Sequence, residues 1–169
     1  MRNLFLLISA GVLIALFSGC AHEKYGKFTV QAINTVSGVS AGMSKDGELL
    51  VLSREDDRQA ISVPGNRADQ EKLFSCSEAP LIYLSVHLFG RKNTSIVRIE
   101  LPAKGKQLKF YRYREVGNNL NHNGRKVWIM ELKEVSPDGK ELRVSFETEG
   151  LHGRKTGTYY PETNTISVR

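Results

Sequence analysis

Apolar and polar residues alternate with a period of two along most of the chain after residue 27, the signature of strands with one face buried. Leu142, Val144 and Phe146 alternate with Arg143, Ser145 and Glu147. Val97, Ile99 and Leu101 oppose Arg98 and Glu100, and Trp128, Met130 and Leu132 are expected on one face with Glu131 and Lys133 on the other. Pro80 to Phe89 is nearly continuously apolar, which predicts a central strand covered on both faces.

Turn chemistry separates these runs. Ser136-Pro137-Asp138-Gly139, Lys45-Asp46-Gly47 and Pro161-Glu162-Thr163-Asn164 each lie between two alternating segments and read as hairpin connections. Gly117 to Gly124, rich in asparagine and glycine, reads as a longer loop. One stretch departs from the pattern. Asn66 to Phe74 is rich in helix formers, with Asn66 as N-cap and acidic residues in the first turns, and predicts one short helix near 66–75. The whole predicts an all-β fold with a minor α contribution and roughly eight to ten antiparallel strands. An antiparallel β-sandwich is favoured, with a small β-barrel as the alternative, in a single β-rich domain over 27–169.

Residues 1–20 read MRNLFLLISAGVLIALFSGC. Arg2 gives a short positive start, and Leu4 to Phe17 is a mainly apolar run of 14 residues. A membrane-crossing helix needs roughly 20, so the run suits a signal peptide better than an anchor. With Ser18, Gly19 and Cys20 following Leu16-Phe17, the segment resembles bacterial lipoprotein signal peptides, whose lipobox sets small residues before an invariant cysteine. The resemblance covers roughly an eighth of the chain and concerns targeting rather than activity. It implies removal of residues 1–19, diacylglycerol on the Cys20 thiol, and a membrane partner reached through that lipid. Ala21 is not the aspartate that retains such proteins in the inner membrane. The resemblance therefore implies an outer-membrane lipid anchor with the protein facing the periplasm. Residues 20–26 then form a short linker, and the six residues after Cys20 reach at most about 20 Å. The folded part is expected close to the bilayer.

Charge adds a preference for anionic partners. Twenty-four lysines and arginines against 18 acids give +6, and loss of Arg2 with the leader leaves +5. Of the two cysteines, lipid on Cys20 leaves Cys76 without an intramolecular partner. That excludes a disulfide framework and any zinc site built on several thiolates, and burial is expected for Cys76.

Catalytic signatures are missing from the sequence: there is no Gly-x-Ser-x-Gly elbow, phosphate-binding glycine loop or His-Glu-x-x-His. His22, His87, His122 and His152 make no metal pair at helical or strand spacing. No enzyme activity, metal, cofactor or nucleic-acid partner is expected. Arg54-Glu55-Asp56-Asp57-Arg58 reads as a solvated charged loop. Two binding candidates remain. Lys104, Lys106, Lys109, Tyr111, Arg112, Tyr113 and Arg114 interleave cations with tyrosines, and strand alternation would set Lys109, Tyr111 and Tyr113 on one face to meet an anion or a sugar ring. An edge strand guarded by lysines accounts for the same residues. The loop carrying Asn119, Asn121 and His122 offers amide donors and acceptors. The expected function is a lipid-anchored, non-enzymatic binding or scaffolding module for an envelope protein complex or an anionic glycan. The alternative is a periplasmic inhibitor that protects against a host or competitor enzyme.

Overall fold

The computed structural model describes residues 28–63, 68–88 and 90–168. The lipobox, Cys20 and the linker lie outside the described residues. Among the described residues thirteen strands, more than the eight to ten expected, form three antiparallel sheets in which every paired strand is joined to its neighbour in sequence. The first sheet holds β1 (Phe28–Asn34), β2 (Val39–Ser44), β3 (Leu49–Arg54) and β4 (Asp57–Ser62). The second holds β5 (Ala68–Ser75), β6 (Leu81–Leu88), β7 (Thr94–Glu100) and β8 (Arg112–Val116). The third runs in the order β13, β12, β11, β10, β9, with β9 (Asn121–His122), β10 (Arg125–Val135), β11 (Leu142–Thr148), β12 (Lys155–Tyr160) and β13 (Thr165–Val168).

The second sheet is the middle layer. On one side Ile82, Leu84, Val97 and Ile99 pack with Val39, Ala41, Leu50 and Leu52 of the first sheet. On the other, Leu81, Tyr83 and Ile96 pack with Ile129, Leu132, Val144 and Phe146 of the third. Alternate residues of β6 therefore enter different cores, which is why its sequence is apolar almost without interruption. The expectation of a strand covered on both faces holds, and the all-β sandwich with it. The third sheet also curls until β9 and β13 come into contact, so one layer approaches a barrel.

The helix expected near 66–75 is not formed: residues 68–75 are strand β5, and Asn66, its proposed cap, lies outside the described residues. β5 pairs with β6 from Ala68 to Ser75. Adjacent Leu73 and Phe74 pack against the first and second cores respectively, a division that extended backbone allows and a helical turn does not. Tertiary pairing overrides the local helix preference of Asp69-Gln70-Glu71-Lys72.

A second correction concerns Trp128, Met130 and Leu132. The β10–β11 register slips between Ile129 and Glu131 and again between Leu132 and Glu134. Met130 is the extra residue of the first bulge. Val127, Ile129 and Leu132 are buried in the second core, whereas Trp128 is half-buried on the opposite face beneath Lys92, whose Nζ lies 4.5 Å from the ring centroid. Two bulges in one strand also bend it, which favours the curl of its sheet.

The three expected hairpins are present. Gly139 closes the β10–β11 turn with its N–H on Ser136 O at 2.9 Å and a φ of 73°. A Cβ there would meet Leu81 Cδ1 at 2.7 Å and Cys76 Sγ at 3.0 Å, so this turn is set into the second core. Tyr83 fixes it there, donating its hydroxyl to Gly139 O at 2.7 Å.

Candidate functional site

The basic-aromatic stretch occupies the connection from β7 to β8 and the edge strand β8 itself. Its path is held by residues far away in sequence. Arg54 Nη1 donates to Ser37 O, Pro102 O and Ala103 O at 3.0–3.2 Å, and Nη2 donates to Lys106 O. Asp57 Oδ2 accepts the Leu108 N–H at 2.6 Å. Within Arg54–Arg58, Glu55 and Asp56 form an exposed turn, as expected of a solvated loop, whereas Arg54 ends β3, Asp57 and Arg58 begin β4, and Arg54 and Asp57 brace the chain that leads to β8. Leu108, fully buried in the first core, opens a 3-10 turn over Leu108–Phe110, after which the chain extends into β8.

This geometry divides the expected trio. Tyr111 and Tyr113 do share a face, their rings stacked at 6.1 Å between centroids and 25° between planes. Lys109 belongs to the 3-10 turn instead, its Nζ 5.3 Å from the Phe110 ring centroid. Tyr111 is half-buried against the first core, while Tyr113 is 55% and Phe110 62% exposed. Arg112, Tyr113, Arg114 and Glu115 are all exposed, on both faces of the strand. β8 pairs with β7 on one side, and no strand among the described residues pairs with its other side.

On the face opposite the tyrosines, Arg98 and Arg114 converge on Glu162 of the β12–β13 turn. The Arg98 guanidinium, with only 11% of its side chain exposed, holds the Glu162 carboxyl below the usual carboxylate range. Arg114 lies 3.5 Å from the same carboxylate and is partly neutralised, whereas Arg112 is exposed on that same face opposite Glu100 of β7, and Lys109 is exposed in the 3-10 turn. Lys104 and Lys106 border a shallow depression shared with Glu55 and Asp56. Acids on one wall make that depression a poor anion site.

The asparagine-rich segment is more ordered than a mobile loop. Asn121 and His122 form β9 and pair with Lys126 and Arg125. Asn123 and Gly124 close that hairpin with φ of 53° and 73°, the conformation of an Asn-Gly type I′ turn. A relay fixes its base. Gly117 N–H donates to Tyr159 Oη at 2.8 Å, Tyr159 donates to Asn164 Oδ1 at 3.0 Å, and Asn164 Nδ2 donates to Asn118 O at 3.2 Å. Asn121 Nδ2 lies 3.4 Å from Asn119 O and His122 Nε2 lies 3.2 Å from Asn123 Nδ2, so these amides bond within their own hairpin. The two candidate groups thus lean on one support, the Pro161–Asn164 turn, through Glu162 for β8 and Asn164 for the hairpin. The sequence reading missed Arg54, Asp57 and Glu162, whose partners on β7, β8 and the connection between them lie 48 to 64 residues away.

Cys76 is buried, as expected, at 1% exposure. Burial pushes its thiol up to about 11, with Asp138 adding to the shift and Arg98 opposing it. Such a thiol stays protonated and is a poor nucleophile.

These features define a three-layer antiparallel β protein with a basic, aromatic strand at the open edge of its middle sheet. No protein-family model matches the chain, and no curated protein or solved structure matches it either.

Proposed function

We propose that the chain is a lipid-anchored protein of a bacterial cell envelope, held at the periplasmic leaflet of the outer membrane through Cys20, and that it is a non-catalytic module binding an anionic glycan such as peptidoglycan. The observation that carries the binding reading is β8: a strand exposed on both faces and unpaired along one edge among the described residues, with the stacked tyrosine pair on one face, Arg112 on the other and exposed Lys109 in the turn before it. Aromatic faces suit sugar rings and the cations suit carboxylates. The braces from Arg54 and Asp57 favour the same reading, since they fix this surface before any ligand arrives.

Co-sedimentation with purified peptidoglycan tests it. The wild-type protein should pellet with the polymer at low salt, and added salt should weaken the association because exposed charges are screened. Lys109→Glu with Arg112→Glu, and separately Tyr113→Ala, should each lower the pelleted fraction severalfold. A wild-type protein left in the supernatant, or variants that pellet unchanged, would contradict the glycan reading. The free edge of β8 also favours a second reading, in which an envelope protein adds a strand there. Crosslinking in intact cells from position 113 to a protein partner would select it.

A further inference from the structure

We infer that the outer face of the first sheet, along β1, is the surface that lies against the bilayer. This rests on the lipid anchor proposed for Cys20. Seven large hydrophobic side chains are exposed among the described residues, and Val30 (47%), Ile33 (60%) and Val36 (40%) fall within one stretch of seven. In a regular strand Val30 and Ile33, three apart, would face opposite ways. Here the β1–β2 register slips between Val30 and Ala32. Val30 is opposite Gly42 and Ile33 opposite Ser40, while Ala32 is opposite Ala41, which is buried in the first core. Directly opposed residues share a face, so the bulge turns both aliphatic side chains away from the core, above neighbours too small to cover them.

Phe28, opposite Ser44, continues this row, and the Arg58 guanidinium lies 5.7 Å from its ring centroid. Arg58 is opposite Ser53 and Ser53 opposite Ser40, so the cation is on the same face. Aliphatic side chains with an aromatic and an arginine beside them suit the boundary between acyl chains and anionic head groups. Chain length makes the bilayer the occupant. Eight residue steps from Cys20 to Phe28 span at most roughly 28 Å, and β1 is the strand the anchor reaches first. This orientation makes β1 the membrane side and leaves the distant open edge of the middle sheet for other partners.

The test uses the acylated protein reconstituted in vesicles of phosphatidylethanolamine and phosphatidylglycerol, with Ile33→Cys or Tyr113→Cys labelled by a nitrobenzoxadiazole probe. The buried, protonated Cys76 should not take the label. The probe at 33 should shift to shorter emission wavelength on reconstitution and become severalfold less quenched by aqueous iodide, and the probe at 113 should stay accessible. Equal iodide access at both positions, in protein whose Cys20 carries lipid by mass, would overturn the proposed orientation and leave the anchor standing. Membrane-extracted protein with an unmodified Cys20 would remove the anchor and this inference together.

Discussion

Asn34 shows how one side chain can join two layers. It is fully buried at the end of β1, and its Nδ2 lies within 2.9–3.1 Å of Cys76 O, Ala79 O and Leu81 O in the β5–β6 turn. Its Oδ1 accepts from the Ser37 N–H and hydroxyl, both at 2.9 Å. Buried carbonyls deprived of a donor are costly, so Asn34→Ala should lower unfolding free energy by roughly 2–4 kcal/mol in urea denaturation. A loss no larger than that of an exposed substitution would show that the joint does not depend on it. Glu162 makes a different demand, because its effect depends on pH. Its carboxyl is held low in the folded state by the Arg98 hydrogen bond first and by the nearby charges of Arg98 and Arg114 next. As pH falls, the unfolded chain takes up this proton before the folded one does. The contribution is therefore complete at neutral pH and is lost as the pH drops through the ordinary glutamate value of about 4.3 and below. In Glu162→Gln, stability at neutral pH should be lower and the decline on acidification shallower, as followed by urea midpoints. An unchanged acid slope would mean the pair contributes nothing to it.

At the scale of elements, the legible parts were those specified by neighbours in sequence. The Ser136–Gly139 and Lys45–Gly47 turns, the alternation of Leu142, Val144 and Phe146, and the apolar run of β6 all carry their explanation locally. What stayed hidden depends on distant partners. β5 reads as a helix until β6 is beside it, Trp128 reads as core until the bulge at Met130 turns it outward, and Arg54 reads as a surface charge until the β7–β8 connection closes over it. The candidate site was legible in part for the same reason. The stacking of Tyr111 on Tyr113 follows from strand alternation, whereas the separation of Lys109 follows from a turn fixed by Leu108 and Asp57. β5 offers a direct check. Leu73→Ala and Phe74→Ala each remove contacts from a different core, so each should cost about 1–3 kcal/mol. Although adjacent in sequence, the two should add with little coupling, since their surroundings are separate. Strong coupling in the double variant would argue that both side chains enter one core.

The whole molecule has two sides with different chemistry. One outer layer shows aliphatic side chains and an arginine on the face of its first strand, which is also the first described strand after Cys20 in the sequence. The middle layer ends in an exposed strand of cations and tyrosines. The third layer supplies the turn on which both candidate groups rest. The proposed lipid anchor would give this arrangement its functional sense, because closeness to a bilayer would decide which of these surfaces can reach a partner. Intact mass measurement of the N-terminal peptide, from protein extracted out of bacterial membranes, addresses that proximity most directly. The account predicts a peptide beginning at Cys20 and heavier than its sequence by a diacylglyceryl group. A peptide that begins elsewhere, or an unmodified Cys20 thiol, would contradict it.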